Sequence, residues 1–430
     1  MPNEHHGAHR LRRALAARLR GAAWVRIAIA ALAYLVFAYV NQGRAAGLDY
    51  FVPLADAFLH GRLSIPAESF LNELVPIGTS GDGYVVYPPM PAIVILPFVA
   101  VFGSDLDQAG ISILFGALNV YLASGVLARL GLRREVWLVL SLAFAFGSIG
   151  WYSAQSGSSW HFAHVIATFF MLLAIRGTQV QWPLWLIGLA FGAAGASRLP
   201  VFLAAPFFLA YLIQRTRTDV HGARPFGWMR LIRPMDRIGR FGFAPLIRNG
   251  LVFSLGTGVL LVPFLVYNAA RFGSPLEAGY EMIPGLLDEN QYRFGFFSIQ
   301  NVPRNINALL LTPPRVAEQA PFFQPALLGG MSILLTTPIF LWSIRSRSPT
   351  WFIAGCWAAV AAILVPVLLH ADPGGAQFGY RYAQDFYPFL FMLTAHGIGR
   401  RIGFEAALAL AIGFIVNAWG MWATAVNWFA

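Results

Sequence analysis

The sequence predicts an all-α, polytopic integral membrane protein: a single bundle of about eleven transmembrane helices occupying residues 1–430. Three observations predict it. Hydrophobic residues make up 57% of the chain and charged ones only 11%, a balance outside the range of soluble globular domains. Apolar runs close to the ~20 residues needed to cross a bilayer recur from end to end. All 30 basic residues are Arg, and they are segregated from the acids segment by segment, as the positive-inside rule requires.

The elements follow in order. Residues 1–20 carry Arg10, Arg12, Arg13, Arg18 and Arg20 ahead of an apolar run at 21–40. No small-residue cleavage site follows and many later spans do, so this is a first helix with a cytoplasmic amino end rather than a signal peptide. The HHGAH stretch at 5–9 reads as a flexible tail. Residues 43–90 form the first outer loop. The apolar run at 90–102 is too short to span and is flanked or interrupted by Pro88, Pro89, Pro91 and Pro97, which makes it a re-entrant or interfacial half-helix. Spans are expected at 109–130, 135–152 and 161–175. The apolar stretch 183–213 is broken by Ser197, Arg198, Leu199 and Pro200. Proline removes a helix hydrogen bond, and an arginine at membrane depth must face protein or water. With Arg176 and Arg215 both cytoplasmic, the stretch must be a hairpin of two short helices turning near Arg198. Further spans are expected at 250–269, 325–344, 351–369, 386–398 and 404–428.

Charge supports this topology. Segments placed inside hold 22 Arg and five acids, and segments placed outside hold seven Arg and 14 acids, with Arg198 counted apart. The net charge of +11 is therefore topological, and nucleic acid is dropped as a partner. The cytoplasmic loop 214–249, with eight Arg, reads as a contact for anionic lipid headgroups. The single Cys356 rules out an intrachain disulfide.

Polar residues cluster in the outer segments 43–90, 271–324 and 370–385. The first carries Asp49, Asp56, Glu68, Glu73 and Asp82. Asp49 lies at the mouth of the first helix, where partial desolvation raises a carboxylate's basicity. The other two mix Arg with Tyr, Phe and Gly and are too short for soluble domains. Such loops would build a site at the bilayer surface, suited to a lipid-anchored substrate.

Five stretches, in this order, carry a resemblance: DYFVPLADAFLHGRL, YVVYPPMPAIVILPF, ASRLP, YNAARFGSPLEAGY and FGYRYAQDFYPF. Together they resemble the bacterial GT-C glycosyltransferases that use polyprenyl-phosphate sugars, in particular the mannosyltransferase-like, RgtA/B/C/D-like branch. The resemblance implies a GT-C-like bundle in the plasma membrane with a catalytic first extracytoplasmic loop. It also implies transfer of a hexosyl or pentosyl group from a polyprenyl-phosphate donor to an extracytoplasmic lipid, glycan or protein acceptor. Asp49 matches the family's acidic residue at the end of the first helix. Many members carry two adjacent acids there, whereas here Tyr50 follows and the next acid is Asp56, which weakens any case for a metal.

The chemistry fits these residue types. Polyprenyl phosphate is a good leaving group, so one carboxylate that deprotonates the acceptor hydroxyl suffices for inverting displacement, and positioned base catalysis contributes ~10²–10⁴-fold. Asp49 is the first candidate. Asp56, seven residues on and on the same face if the segment is helical, would orient Asp49 or pair with Arg62. The donor phosphate calls for the bidentate fork of arginine, and Arg381, Arg271, Arg293 and Arg198 are the candidates. Arg381 could alternatively pair with Asp385, and Arg198 could serve helix packing. Tyr50, Tyr87, Tyr380 and Tyr382 are candidate substrate contacts. No cofactor is indicated; a divalent metal is compatible with the carboxylates but not indicated, and His161 and His164 share a helix face without a third ligand nearby. A transporter or lipid flippase would also show broken helices and a buried arginine, but the chain has no repeated halves. A polymer ligase with a pyrophosphate-linked donor and an inactive scaffold are the remaining alternatives.

Overall fold

A computed structural model describes residues 23–425 except 69–70, 221–242, 317, 319–321, 327–328, 348–349 and 376. The amino-terminal tail and most of the basic loop 214–249 lie outside the described residues. Apolar composition dictates the opening helix α1 (Ala23–Asn41). The first loop then folds as a short helix, α2 (Phe51–Leu59), and a small antiparallel sheet, β1 (Ile65–Pro66), β2 (Leu74–Pro76) and β3 (Asp82–Val85). Its strand order is β1-β3-β2, with Ile65 opposite Gly83 and Leu74 opposite Val85. This sheet departs from the all-α expectation. The register works because Gly83 lies so close to Leu74 that a β-carbon would sit 2.8 Å from the leucine's own.

The chain continues through α3 (Met90–Phe102), α4 (Gln108–Leu127), α5 (Arg134–Phe146), α6 (Gly150–Ser156) and α7 (Ser159–Val180). Next come α8 (Leu184–Ser197), a 3₁₀ turn (Leu199–Ala204), α9 (Ala205–Val220) and α10 (Phe243–Phe272). After a loop of short turns follow α11 (Val302–Leu310), the strand pair β4 (Arg315–Val316) and β5 (Phe323–Gln324), and α12 (Ile333–Thr336). A 3₁₀ segment (Pro338–Arg345), α13 (Trp351–Leu369), a 3₁₀ turn (Arg381–Phe386), α14 (Tyr387–Ile398) and α15 (Phe404–Ala425) complete it.

Among the described residues seven helices are long and apolar enough to cross a membrane, or eight if α5 and α6, bent by 43°, count as one span. These helices are those of an integral membrane protein. The expected count of about eleven included stretches the structure breaks into shorter pieces. The expected span 135–152 bends at Gly147 and Ser148, where the serine hydroxyl bonds back to the Phe144 carbonyl at 2.8 Å. The expected span 325–344 is not one helix: Thr337, just before Pro338, takes φ −145° and ψ 62° and separates α12 from the 3₁₀ segment. The expected span 386–398 forms only the 12-residue α14.

The break at Arg198 is a hairpin, but only its first arm is short: the second, Leu199–Thr216, is one of the seven helices long and apolar enough to cross a membrane. Arg198 is extended (φ −151°, ψ 117°). Its arms return to the same end: Arg215 Nη1 donates to the Trp182 carbonyl at 3.2 Å, and the Phe191 and Phe208 rings are 4.7 Å apart. Backbone groups freed at the turn are bonded inside the protein, Arg198 N to the Ala194 carbonyl and Val201 N to the Arg198 carbonyl, both at 3.1 Å.

Helix α8 crosses α10 at backbone contact. A β-carbon on Gly188 would lie 1.9 Å from the Phe253 carbonyl oxygen, and one on Gly256 would lie 1.9 Å from that of Trp185. Small residues permit this approach, and Thr257 Oγ1 adds a bond to the Gly188 carbonyl at 3.0 Å. Gly188→Ala should therefore destabilise the bundle by ~1–3 kcal/mol through overpacking. Gly110→Ala, which meets open space, should be near neutral. Thermal unfolding of the two variants in detergent checks the difference.

Candidate functional site

The three polar loops gather at one end of the bundle. Ser298 N donates to the Leu369 carbonyl at 2.8 Å, Ala371 N to that of Phe296 at 2.8 Å, and Met331 N to that of Phe378 at 3.1 Å. Arg271 donates to the Val85 carbonyl and joins the end of α10 to β3.

Arg381 stands at the centre of this end. It is 6% exposed, at the start of a 3₁₀ turn, with its guanidinium 5.1 Å over the Trp160 ring and 5.1 Å from the Tyr382 ring centre. Nη1 donates to the Gly375 carbonyl at 3.0 Å and Nη2 to the Tyr382 hydroxyl at 3.4 Å. Among the described residues no carboxylate lies within 4 Å of it. A guanidinium cannot deprotonate, so burying it without an ion pair is costly and leaves it suited to an incoming anion.

Arg198 approaches the same tyrosine, 5.5 Å from the Tyr382 ring centre. Its Nε donates to both oxygens of Asp385, at 2.9 and 3.1 Å, and His164 Nδ1 meets Asp385 Oδ1 at 2.9 Å. Burial acts to raise the Asp385 carboxyl, but Arg198 and His164 outweigh it and hold it below its ordinary value. Asp385 thus belongs to Arg198, and the alternative pairing of Arg381 with Asp385 is not formed.

Glu73, just ahead of β2, faces Arg381 from the first loop. Its Oε2 accepts from Trp160 Nε1 at 2.9 Å, and its backbone N–H donates to the Tyr50 hydroxyl at 3.1 Å. Trp160 Nε1 also reaches the Tyr87 hydroxyl at 2.5 Å. Desolvation pushes the Glu73 carboxyl up, opposed by the Trp160 hydrogen bond and the Arg381 charge. Neither Glu73 nor Trp160 is among the site residues expected from the sequence. Glu73 carries one signal, its place in the acid-rich loop, and Trp160 carries none, because it reaches Glu73 from 87 positions away.

Asp49 caps α2: Oδ1 accepts from Phe51 N at 3.1 Å and Val52 N at 3.0 Å, while Oδ2 has no hydrogen bond among the described residues. Its flanks are pinned to the first turn of α7, with Ser159 N donating to the Leu48 carbonyl and Tyr50 N to Ser159 Oγ, each at 2.8 Å. Desolvation pushes its carboxyl up to about 6, against the two cap bonds and with Asp107 adding to the rise. Asp107, not an arginine, is its charged neighbour.

Of the remaining candidates, Asp56, Arg271 and Arg293 sit apart. Because α2 begins after Asp49, Asp56 is not on one helix face with it; it pairs with Arg62 at 3.3 Å and His60 at 3.5 Å. Arg271 is buried 3.6 Å over the Tyr267 ring, and its Nη2 donates to Asn268 Oδ1 at 2.9 Å, so its fork is occupied by the fold. Arg293 is exposed and stacks on Phe294. Tyr50 and Tyr87 meet edge to face at 5.2 Å beside Glu73. Tyr380 is fully buried behind Tyr382, with ring centres 5.8 Å apart. The structure therefore brings together Arg381, Arg198, Tyr382, Tyr50 and Tyr87 around Trp160 and Glu73. A separate internal cavity lined by Phe37, Asn119, Phe144, Val165 and Tyr387 holds none of these charged groups.

No protein-family model matches the sequence, and no curated protein matches it either. Among solved structures, the chain is similar to the crystal structure of the Archaeoglobus fulgidus oligosaccharyltransferase in the apo form, with a TM-score of 0.51 at 10% identity. The match covers 92% of this chain and 56% of that one, so this chain spans just over half the length of the archaeal protein. At that identity the likeness is one of fold alone.

Proposed function

We propose that this chain is a membrane glycosyltransferase that moves a sugar from a polyprenyl-phosphate donor to an extracytoplasmic acceptor. The observation that carries the reading is Arg381: a buried guanidinium with no carboxylate within 4 Å among the described residues, over an indole, at the end of the bundle where the polar loops meet. The end bearing these loops is the extracytoplasmic one. Eleven membrane-embedded segments result when the bent pair α5–α6, the first hairpin arm α8, α12 with its 3₁₀ segment, and α14 join the seven longer helices, which include the second hairpin arm.

In this reading the donor phosphate lies between Arg381 and Arg198, which approach Tyr382 together, and Asp385 with His164 fixes Arg198. Arg381 uses one N–H on Gly375 and one on Tyr382, leaving others for phosphate oxygens. The sugar stacks on Trp160 or its tyrosine neighbours. Asp49 Oδ2 takes the proton of the acceptor hydroxyl; the hydroxyl oxygen bonds to the anomeric carbon, and the carbon–oxygen bond to phosphate breaks. Polyprenyl phosphate leaves as the anion and configuration inverts. Glu73 holds Trp160 and balances Arg381.

A base raised to about 6 sets the pH dependence. Protonated Asp49 cannot accept a proton, so kcat/KM should rise with pH through about 6 and level off above it. A pH–rate profile of lipid-linked sugar transfer in proteoliposomes tests the proposal. A profile flat from pH 5 to 8 would remove Asp49 as the base.

A further inference from the structure

At the end of the bundle opposite the candidate site, three arginines from three helices converge. Arg26 lies in the first turn of α1, Arg129 two residues past α4, and Arg176 in the last turns of α7. Arg26 and Arg176 meet at Gly125: a β-carbon there would sit 2.8 Å from Arg26 Nη1 and 3.6 Å from Arg176 Nε. Arg26 also stacks 5.1 Å over the Tyr121 ring, and Arg129 lies within electrostatic reach of both other guanidiniums. The arrangement is built rather than incidental. Gly125 lets the Arg26 guanidinium lie close against α4, and Gln179 holds Arg176 at 3.4 Å while bonding the Val126 carbonyl at 3.1 Å. Arg129 and Arg176 pair with no carboxylate among the described residues. The carboxyl-terminal dipoles of α4 and α7 offset part of this charge but act only within the last turn.

We propose that this cluster binds the phosphate of an anionic phospholipid whose acyl chains lie along α1. A lipid rather than a free anion fits because all three arginines stand at the ends of membrane-spanning helices. Trp24 and Ile27, 71% and 46% exposed, flank Arg26 on α1 with bilayer-compatible surface. The lipid would tie α1 to the α4–α7 pair at the end away from the site.

The test is thermal unfolding of the full chain in detergent, titrated separately with phosphatidylglycerol, phosphatidylcholine and inorganic phosphate. Phosphatidylglycerol should raise Tm saturably, and the other two should not. Arg129→Gln/Arg176→Gln should weaken the apparent affinity for phosphatidylglycerol about thirtyfold, since each arginine contributes ~1 kcal/mol near anionic lipid. Should that variant not fold, Arg129→Gln alone, at an exposed position, should shift the same midpoint about fivefold. Equal protection by phosphatidylcholine, equal protection by inorganic phosphate, or an unchanged midpoint in the variants would each overturn the proposal.

Discussion

Arg381→Ala should abolish productive use of a lipid-linked donor while leaving the protein folded. The side chain is buried, yet no carboxylate among the described residues lies within 4 Å of it, so its removal breaks no ion pair, and Glu73 keeps its hydrogen bond from Trp160. What the fold loses is one bond to the Gly375 carbonyl and one to the Tyr382 hydroxyl. A charge-assisted hydrogen bond is worth ~1.5–3 kcal/mol, so two to a phosphate correspond to a loss of about 10²-fold or more in kcat/KM. Arg381→Lys should recover only part of this, because an ammonium keeps the charge but not the fork. Arg293→Ala, at an exposed position stacked on Phe294, should be near wild type. Arg198→Ala is a poorer probe, since it leaves the buried Asp385 carboxylate with His164 alone. Donor titration of these variants in reconstituted membranes gives the comparison, and equal small effects at Arg381 and Arg293 would give Arg381 a structural role.

Features governed by local chemistry were legible in the sequence. The hairpin at Arg198 could be read because a charge and a proline inside an apolar run leave few alternatives. The Asp56–Arg62 pair could be read because opposite charges six residues apart lie within reach of each other. Where segments are short, the pattern fails. Residues 325–344 are apolar enough to suggest a span, but the extended Thr337 before Pro338 divides them. The small sheet of the first loop rests on strands of two to four residues, too short for an alternating pattern to emerge. The site itself depends on pairings that no spacing encodes: His164 with Asp385 across 221 positions, Arg198 with Asp385 across 187, and Trp160 with Glu73 across 87. Asp49 and Asp56 looked like neighbours on one helix face until the helix boundary separated them.

Asp49 carries the chemistry in this account, and Asp49→Asn isolates that role. An asparagine oxygen caps a helix about as well as a carboxylate, so the bonds to Phe51 and Val52 should persist and the variant should fold. Donor binding should also persist, because Arg381 and Arg198 are untouched. Only proton affinity is removed, and the rate of transfer should fall by ~10²-fold or more. Glu73→Gln should behave differently: it retains an acceptor for Trp160 and should raise the donor KM more than it lowers kcat. The decisive measurement is transfer of a radiolabelled sugar from a polyprenyl-phosphate donor by wild type, Asp49→Asn and Glu73→Gln in proteoliposomes. The account predicts robust transfer by wild type, near-complete loss in Asp49→Asn and a milder, donor-dependent loss in Glu73→Gln. Near-wild-type turnover by Asp49→Asn with an inactive Glu73→Gln would move the base to Glu73, and no transfer by wild type from any lipid-linked sugar would contradict the account and favour a transporter.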